Sequence, residues 1–226
     1  MFELENVSYA YDENAPALDG VSLRVPKGSA VALVGANGSG KTTLLRLLNG
    51  LVLPTRGEYR FDGVRVDKRA LKDSAFAKTF HRRVGFVFQN ADAQLFCGSV
   101  DDEIAFGPRQ LDLSEEECRR RVDGPLKLLG IEKLRFRPPY ATSGGEKRKI
   151  AFASVLSLNP DALVMDEPLA GLDAQSQSFV VDLLKALRAA HKTLVFATHN
   201  ERLVEEIADV RATLEFGKLV ATDRLR

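Results

Sequence analysis

The stretch Gly35-Ala36-Asn37-Gly38-Ser39-Gly40-Lys41-Thr42 sets glycine, lysine and a hydroxyl at the spacing G-x-x-x-x-G-K-[ST]. That spacing suits a nucleoside triphosphate. Gly35, Gly38 and Gly40 let backbone N–H groups turn inward with no Cβ in the way. A helix opening at Lys41 and running on through Thr43 adds its free N–H groups and positive dipole end, which favour an anion there. Lys41 can reach the β and γ phosphates, and the Thr42 hydroxyl is placed to ligate Mg²⁺.

Other polar residues fall where apolar runs stop, and in an open α/β sheet the ligand lies beyond the carboxyl ends of the strands. Asp166-Glu167 follows Ala162-Leu163-Val164-Met165 directly. Either the pair simply starts a helix, or Asp166 holds Mg²⁺ through water while Glu167 polarises the water that attacks the γ phosphate. His199 follows Thr193–Thr198 and could hydrogen-bond that phosphate, although a lone histidine at a strand end is more often structural. Gln89 closes Val84–Phe88 with a neutral amide able to reach Mg²⁺ or the water, or to lie in a surface loop. Ser143-Gly144-Gly145-Glu146 opens a helix and makes a second anion site. One phosphate loop per chain leaves this second site unexplained unless it serves another chain's nucleotide, which implies two composite sites in a dimer. Tyr11, in an expected turn, could stack on a base.

The elements that must hold these residues read as follows. Phe2–Tyr9 and Leu18–Val25 alternate apolar and polar with period two, with a turn at residues 12–16 between them. Ser29–Val34 is nearly all apolar, as a strand covered on both faces should be. A leucine-rich helix runs to Leu48 and stops at Asn49-Gly50; residues 57–63 suggest a hairpin. Residues 65–83 are basic and without clean periodicity, and they read as surface structure, part of it helical, with Arg82-Arg83 on a solvated face. From about Leu95 to Tyr140 the β pattern disappears, and Ser114 followed by three glutamates marks a helix start. Helices and strands then alternate to a closing hairpin around Gly217-Lys218. The expected fold is α/β, with a mainly parallel sheet, an N-terminal antiparallel β subdomain and a helical subdomain inserted at about residues 95–158 of a single domain, 1–226.

Composition narrows the setting. Apolar residues are 45% and charged residues 28%, and the net charge is +1, so no global field draws the chain to nucleic acid or acidic lipid. The N-terminus lacks the basic region of a signal peptide, and no run of about eighteen apolar residues occurs. Cys97 and Cys118 form no C-x-x-C pair and read as reduced thiols, so a cytoplasmic setting is expected.

Taken together, the loop Gly35–Thr42, Gln89, Ser143-Gly144-Gly145, Asp166-Glu167-Pro168, Gly171-Leu172-Asp173 and His199 resemble, in order and spacing, the ATP-binding cassette (ABC) ATPases. The likeness covers essentially the whole chain. It implies a P-loop NTPase fold with ATP and Mg²⁺ as ligands, Tyr11 as the adenine-stacking aromatic, and Asp173 in a loop linking two sites. It also implies a pairing with a second cassette, alike or different, and a helical subdomain that meets a membrane partner. The run Val84–Phe96 with Asp101–Pro108 is similar to the cobalt/nickel and energy-coupling-factor branch, which implies a peripheral subunit at the cytoplasmic membrane face. Its partners would be integral coupling and substrate-binding subunits, its cargo a metal ion or vitamin. A soluble ABC ATPase acting mechanically on a protein partner is the alternative. The chain departs from the family pattern at Thr142, Glu146 and Lys149, where Leu, Gln and Arg are usual. The resemblance turns residue 146 toward the ribose side, where a glutamate need not meet phosphate directly.

Overall fold

The computed structural model describes residues 1–12 and 15–226. Strands β1 (Phe2–Asp12) and β2 (Ala15–Val25) pair antiparallel. Of the expected turn between them, Glu13 and Asn14 lie outside the described residues. Tyr11 belongs to β1 rather than to that turn, because the alternating strand runs on past Tyr9 and pairs to Asp12. On its other edge β1 pairs with β4 (Arg56–Phe61), which turns through Asp62-Gly63, both at positive φ, into the short β5 (Val64–Arg65). The first sheet therefore runs β2-β1-β4-β5.

The second sheet holds β3 (Ala30–Val34), β6 (Val84–Val87), β7 (Ala162–Asp166), β8 (Thr193–Ala197), β9 (Val210–Glu215) and β10 (Lys218–Arg224), in the order β10-β9-β3-β8-β7-β6. Its strands are parallel except for the antiparallel β9–β10 hairpin. The continuous apolar runs follow from a sheet covered on both faces. Ala30, Ala32, Leu163, Met165, Leu194 and Phe196 point into one core, and Val31, Leu33, Ala162, Val164, Val195 and Ala197 into the other. Each strand thus divides its side chains by the two-residue period.

The second core lies between the two sheets and takes in α1 (Lys41–Leu48), whose five buried residues after Thr42 include Leu44, Leu45, Leu47 and Leu48. Tyr59 of β4 is buried there and donates its hydroxyl to the Leu48 carbonyl at 2.7 Å, tying the first sheet to the end of α1. The basic stretch 65–83 forms two short helices, α2 (Lys68–Lys72) and α3 (Ser74–Arg83), and Phe80 is the one buried residue between them. That is why no periodicity was visible. Arg83 is not on a solvated face: it is half-buried over the Phe61 ring and pairs with Asp62 and Asp161. Arg82 is exposed as expected.

Below the other face sit α4 (Val100–Arg109), α5 (Glu115–Leu129), α6 (Gly144–Leu156), α7 (Ala174–Ala189) and α8 (Glu201–Ile207). Leu95–Tyr140 carries helices and no strand. Ser114 caps α5 by accepting from Glu117 N–H, and Gly130 ends it at φ 63. Arg135 joins α4 to α5 through Asp101 at 2.7 Å and Asp123 at 2.6 Å.

Candidate active site

A helix leaves the N–H groups of its first turn unpaired unless something caps them. Among the described residues, seven of the eight α-helices meet that need with a side chain at the cap position: Asp67, Asp73, Ser99, Ser114, Ser143, Asp173 and Asn200. Helix α1 has Gly40 there and no side-chain cap. Its free N–H groups open into the loop that precedes it, and among the described α-helices this end alone is left for an outside anion. The glycines are fixed by close approach as well as conformation. A Cβ at Gly35 would lie 2.1 Å from the Leu214 carbonyl oxygen, and one at Gly40 would lie 2.6 Å from that of Ala17. Lys41 folds back over the loop and donates to the Gly35 and Ala36 carbonyls at 2.7 and 2.9 Å. Burial lowers its pKa, opposed by the nearby charges of Glu167 and Asp166.

The parallel sheet brings the strand-end residues to this loop, because β3 is flanked by β8, and β8 by β7. Thr42 Oγ1 donates to Asp166 Oδ2 at 2.8 Å. Glu167 follows β7 in the left-handed region at φ 44, a conformation a non-glycine residue adopts only under constraint from its surroundings. Its Oε1 is buried and has no hydrogen-bond partner among the described residues, and neither has Ser39 Oγ in the loop. An unpaired buried carboxylate oxygen is costly and is expected to find a water or a ligand. His199 Nε2 lies 2.9 Å from Asn37 Oδ1 and 3.5 Å from Glu167 Oε1, so the histidine, the loop and the carboxylate meet at one point.

Tyr11, Asn37, Gly38, Gly40, Lys41, Thr42, Thr43, Gln89, Asp166, Glu167 and His199 line a single cavity of about 570 Å³. Gly35 and Ser39 are not among its lining residues. Tyr11 exposes 57% of its surface at the mouth, with its ring edge-on to Tyr9 at 5.0 Å. Its hydroxyl accepts from Arg46 at 3.1 Å. Free N–H groups, a lysine ammonium, a hydroxyl beside a carboxylate and an unpaired carboxylate oxygen together fit a triphosphate and a hard divalent cation.

Ser143, Gly144, Gly145, Glu146 and Asp173 do not line that cavity. Ser143 Oγ accepts from Glu146 N–H at 3.3 Å, and Glu146 Oε2 accepts from Ser143 N–H at 2.8 Å and from its hydroxyl at 2.9 Å. These bonds hold the Glu146 carboxyl below the usual range. Its carboxylate therefore lies on Ser143 itself, because a capping box draws it back across the first turn. A Cβ on Gly144 would meet nothing within 4 Å, whereas one on Gly145 would lie 2.6 Å from Ser176 Oγ. Ser176 N–H in turn donates to Asp173, so this loop and the start of α6 pack together.

Sequence reasoning missed Ala17 and Ala170, which line the cavity with nothing but bulk, and Arg46, whose role depends on β1 passing α1. It also missed Arg148, which is buried in α6 and donates to the Phe88 and Gln89 carbonyls at 2.7 and 2.6 Å. An arginine in a basic run at a helix start carries no signal of burial.

A phosphate loop between β3 and α1, with acids at the end of a parallel neighbour, defines the P-loop nucleoside triphosphatases as a class. Within that class residues 18–170 match the ABC transporter family, and the chain belongs to it. It is an ABC-type ATPase. It is 48% identical over 223 residues to a nickel import ATP-binding protein of Rhodobacter capsulatus, covering 97% of this chain and 87% of that protein. A solved subunit of the cbiONQ ABC transporter complex of Clostridium perfringens matches with a TM-score of 0.86 at 33% identity, over 99% of this chain and 88% of that one. A dimeric ATP-binding cassette in a post-hydrolysis state, bound to ADP and Pi, matches with a TM-score of 0.89 at 29% identity, over 100% and 99% of the two chains.

Proposed function

We propose that this chain is the ATP-hydrolysing subunit of an importer of the nickel/cobalt or energy-coupling-factor type, peripheral to the cytoplasmic face of the membrane. Two cassettes, alike or different, close on two ATP molecules, and Ser143 and Gly145 of each complete the other's site, with Gly144 and Glu146 beside them at the same helix start. The observation that carries the ATP site is the uncapped end of α1 beside Lys41. The importer assignment rests on likeness to the nickel import protein and to the cbiONQ subunit.

In this reading Tyr11 packs against adenine, while Gly35–Thr43 hold the phosphates through backbone N–H groups. Lys41 leaves the Gly35 and Ala36 carbonyls for the β and γ phosphates. Thr42, Asp166 and Gln89 are the residues that would hold Mg²⁺, whose chemistry there is to neutralise charge on the phosphate oxygens. Glu167 polarises the attacking water, and His199 hydrogen-bonds the γ phosphate and orients that water. Asp173 links one site to the other. The helices within about residues 95–158 form the lobe that meets integral coupling and substrate-binding subunits, and the cargo is a cobalt or nickel ion or a vitamin.

The test is purification of the tagged chain from its native membrane in mild detergent. Recovery with a transmembrane coupling protein supports the importer; recovery with no membrane protein shifts the assignment to a soluble mechanical ATPase. Lys41→Ala is expected to weaken ATP binding about 100-fold, since two charge-assisted bonds to phosphate are lost. Wild-type affinity in a binding titration would overturn the assigned site.

A further inference from the structure

Arg148 is 3% exposed and has no carboxylate partner among the described residues. Burial lowers its pKa, as expected for a cation removed from water. A guanidinium in that position is costly unless its fixed fork of donors is well used. It is used on backbone. The two terminal nitrogens donate to the carbonyls of Phe88 and Gln89, the residues where β6 gives way to the loop that carries Gln89 into the cavity.

The same loop is held to α6 from its other side. Gln94 Oε1 accepts from Phe88 N–H at 3.2 Å, while its amide nitrogen donates to the Ala151 carbonyl at 3.0 Å and to Ser154 Oγ at 3.3 Å. Both polar groups of the Phe88 backbone are therefore committed to α6, one directly and one through Gln94. Lys147 pairs with Asp92 at 2.6 Å on the exposed rim, where such a pair contributes little. Five residues before Arg148, at the cap of the same helix, stands Ser143. A helix is stiff over that distance of about 7.5 Å, so a shift of the Gln89 backbone carries Ser143 with it.

We propose that Arg148 is a positioning residue that fixes the Gln89 loop to α6, so that filling a protomer's own magnesium site sets the placement of the Ser143 it offers its partner. This rests on the composite-site reading above. It gives Arg148 no contact with nucleotide. Of those two backbone residues Gln94 reaches Phe88 alone, whereas Arg148 bonds the Gln89 backbone itself. The coupling between the two ends of each protomer is therefore assigned chiefly to Arg148, of a size usual between linked sites, about tenfold.

The test uses the full chain as wild type, Arg148→Met and Arg148→Lys. In dilute, unpaired protein, Mg-ATP is expected to slow amide exchange in wild type both in the loop 89–94 and at Ser143–Lys147. In Arg148→Met the loop alone should respond, with ATP affinity in EDTA unchanged. In a Glu167→Gln background the same change should raise the ATP needed for pairing about tenfold, and Arg148→Lys, which keeps one donor and the charge, should recover part of it. Exchange at Ser143–Lys147 that still responds in Arg148→Met would overturn the proposal. So would parallel losses of thermal stability and of ATP affinity in EDTA, which mark a merely structural role. If Arg148→Met fails to fold, Arg148→Lys decides: wild-type exchange and pairing in that variant would overturn the proposal. A wild type that shows the coupled exchange response but never pairs would instead overturn the composite site and leave the Arg148 link standing on the exchange data.

Discussion

Ser143 has one hydroxyl proton, and in the single protomer it goes to Glu146 Oε2 at 2.9 Å. A serine so engaged cannot also donate to a phosphate presented by a second cassette. Bonds to a carboxylate are roughly twice as strong as neutral ones, so freeing the proton is harder here than it would be beside an amide. Glu146→Gln keeps the means to cap α6, since a capping box accepts either residue. It is expected to lower the ATP concentration for pairing about fivefold, the equivalent of the ~1 kcal/mol between charged and neutral bonds. Analytical ultracentrifugation of that variant in a Glu167→Gln background would measure it. Unchanged or weaker pairing would remove Glu146 from the account. The position of Glu146 was legible in the sequence, but its direction was not. Spacing alone satisfies both a capping box and an outward side chain, and the choice is made by bond geometry at the helix end.

The elements followed from the pattern wherever burial was even on both faces or alternated cleanly. α1 runs from Lys41 to Leu48 and stops at the expected Asn49, and α5 begins after the expected Ser114. The pattern failed at residues 65–83, where α2 has five residues and none buried. Too short to show a period, it is held by local bonds. Asp73 ends α2 and caps α3, accepting from Ala75 N–H at 2.9 Å and Phe76 N–H at 3.1 Å. Asp73→Ala is expected to cost about 1 kcal/mol and to lower Tm by about 2–4 °C for a chain of this size. ATP turnover should be untouched, because α3 packs away from the cavity. A melting curve that does not move would show that the cap is replaced by water. The placement of Tyr11 in a turn failed for a related reason: strand pairing carries β1 beyond the last clear alternation, which the composition of the expected turn does not reveal.

At the scale of the whole molecule, the loop, the two acids and His199 were legible as a set because parallel strands must deliver their ends to one edge. What holds them there was not legible, since Gln94, Arg148 and Tyr59 act through contacts between distant segments. The composite-site reading makes its sharpest prediction at this scale. Glu167→Gln should bind ATP, lose hydrolysis by about 10²–10⁴-fold, the range for removing a general base, and accumulate as a closed dimer. Light scattering that finds only monomer at saturating ATP would count against it.

The order of strands also fixes when the site can exist. β3 leads into the phosphate loop, yet its two neighbours are β8 and β9. The loop is braced by the Leu214 carbonyl against Gly35 and by Gly217 N–H donating to the Ser39 carbonyl at 3.0 Å. A ribosome delivers the chain from its N-terminus at about 5–20 residues per second. The phosphate loop therefore emerges before β8 and β9, the strands that support it. A nascent chain halted short of residue 193 holds every loop residue and should retain no nucleotide, so ATP cannot be captured until β8 and β9 have followed the loop.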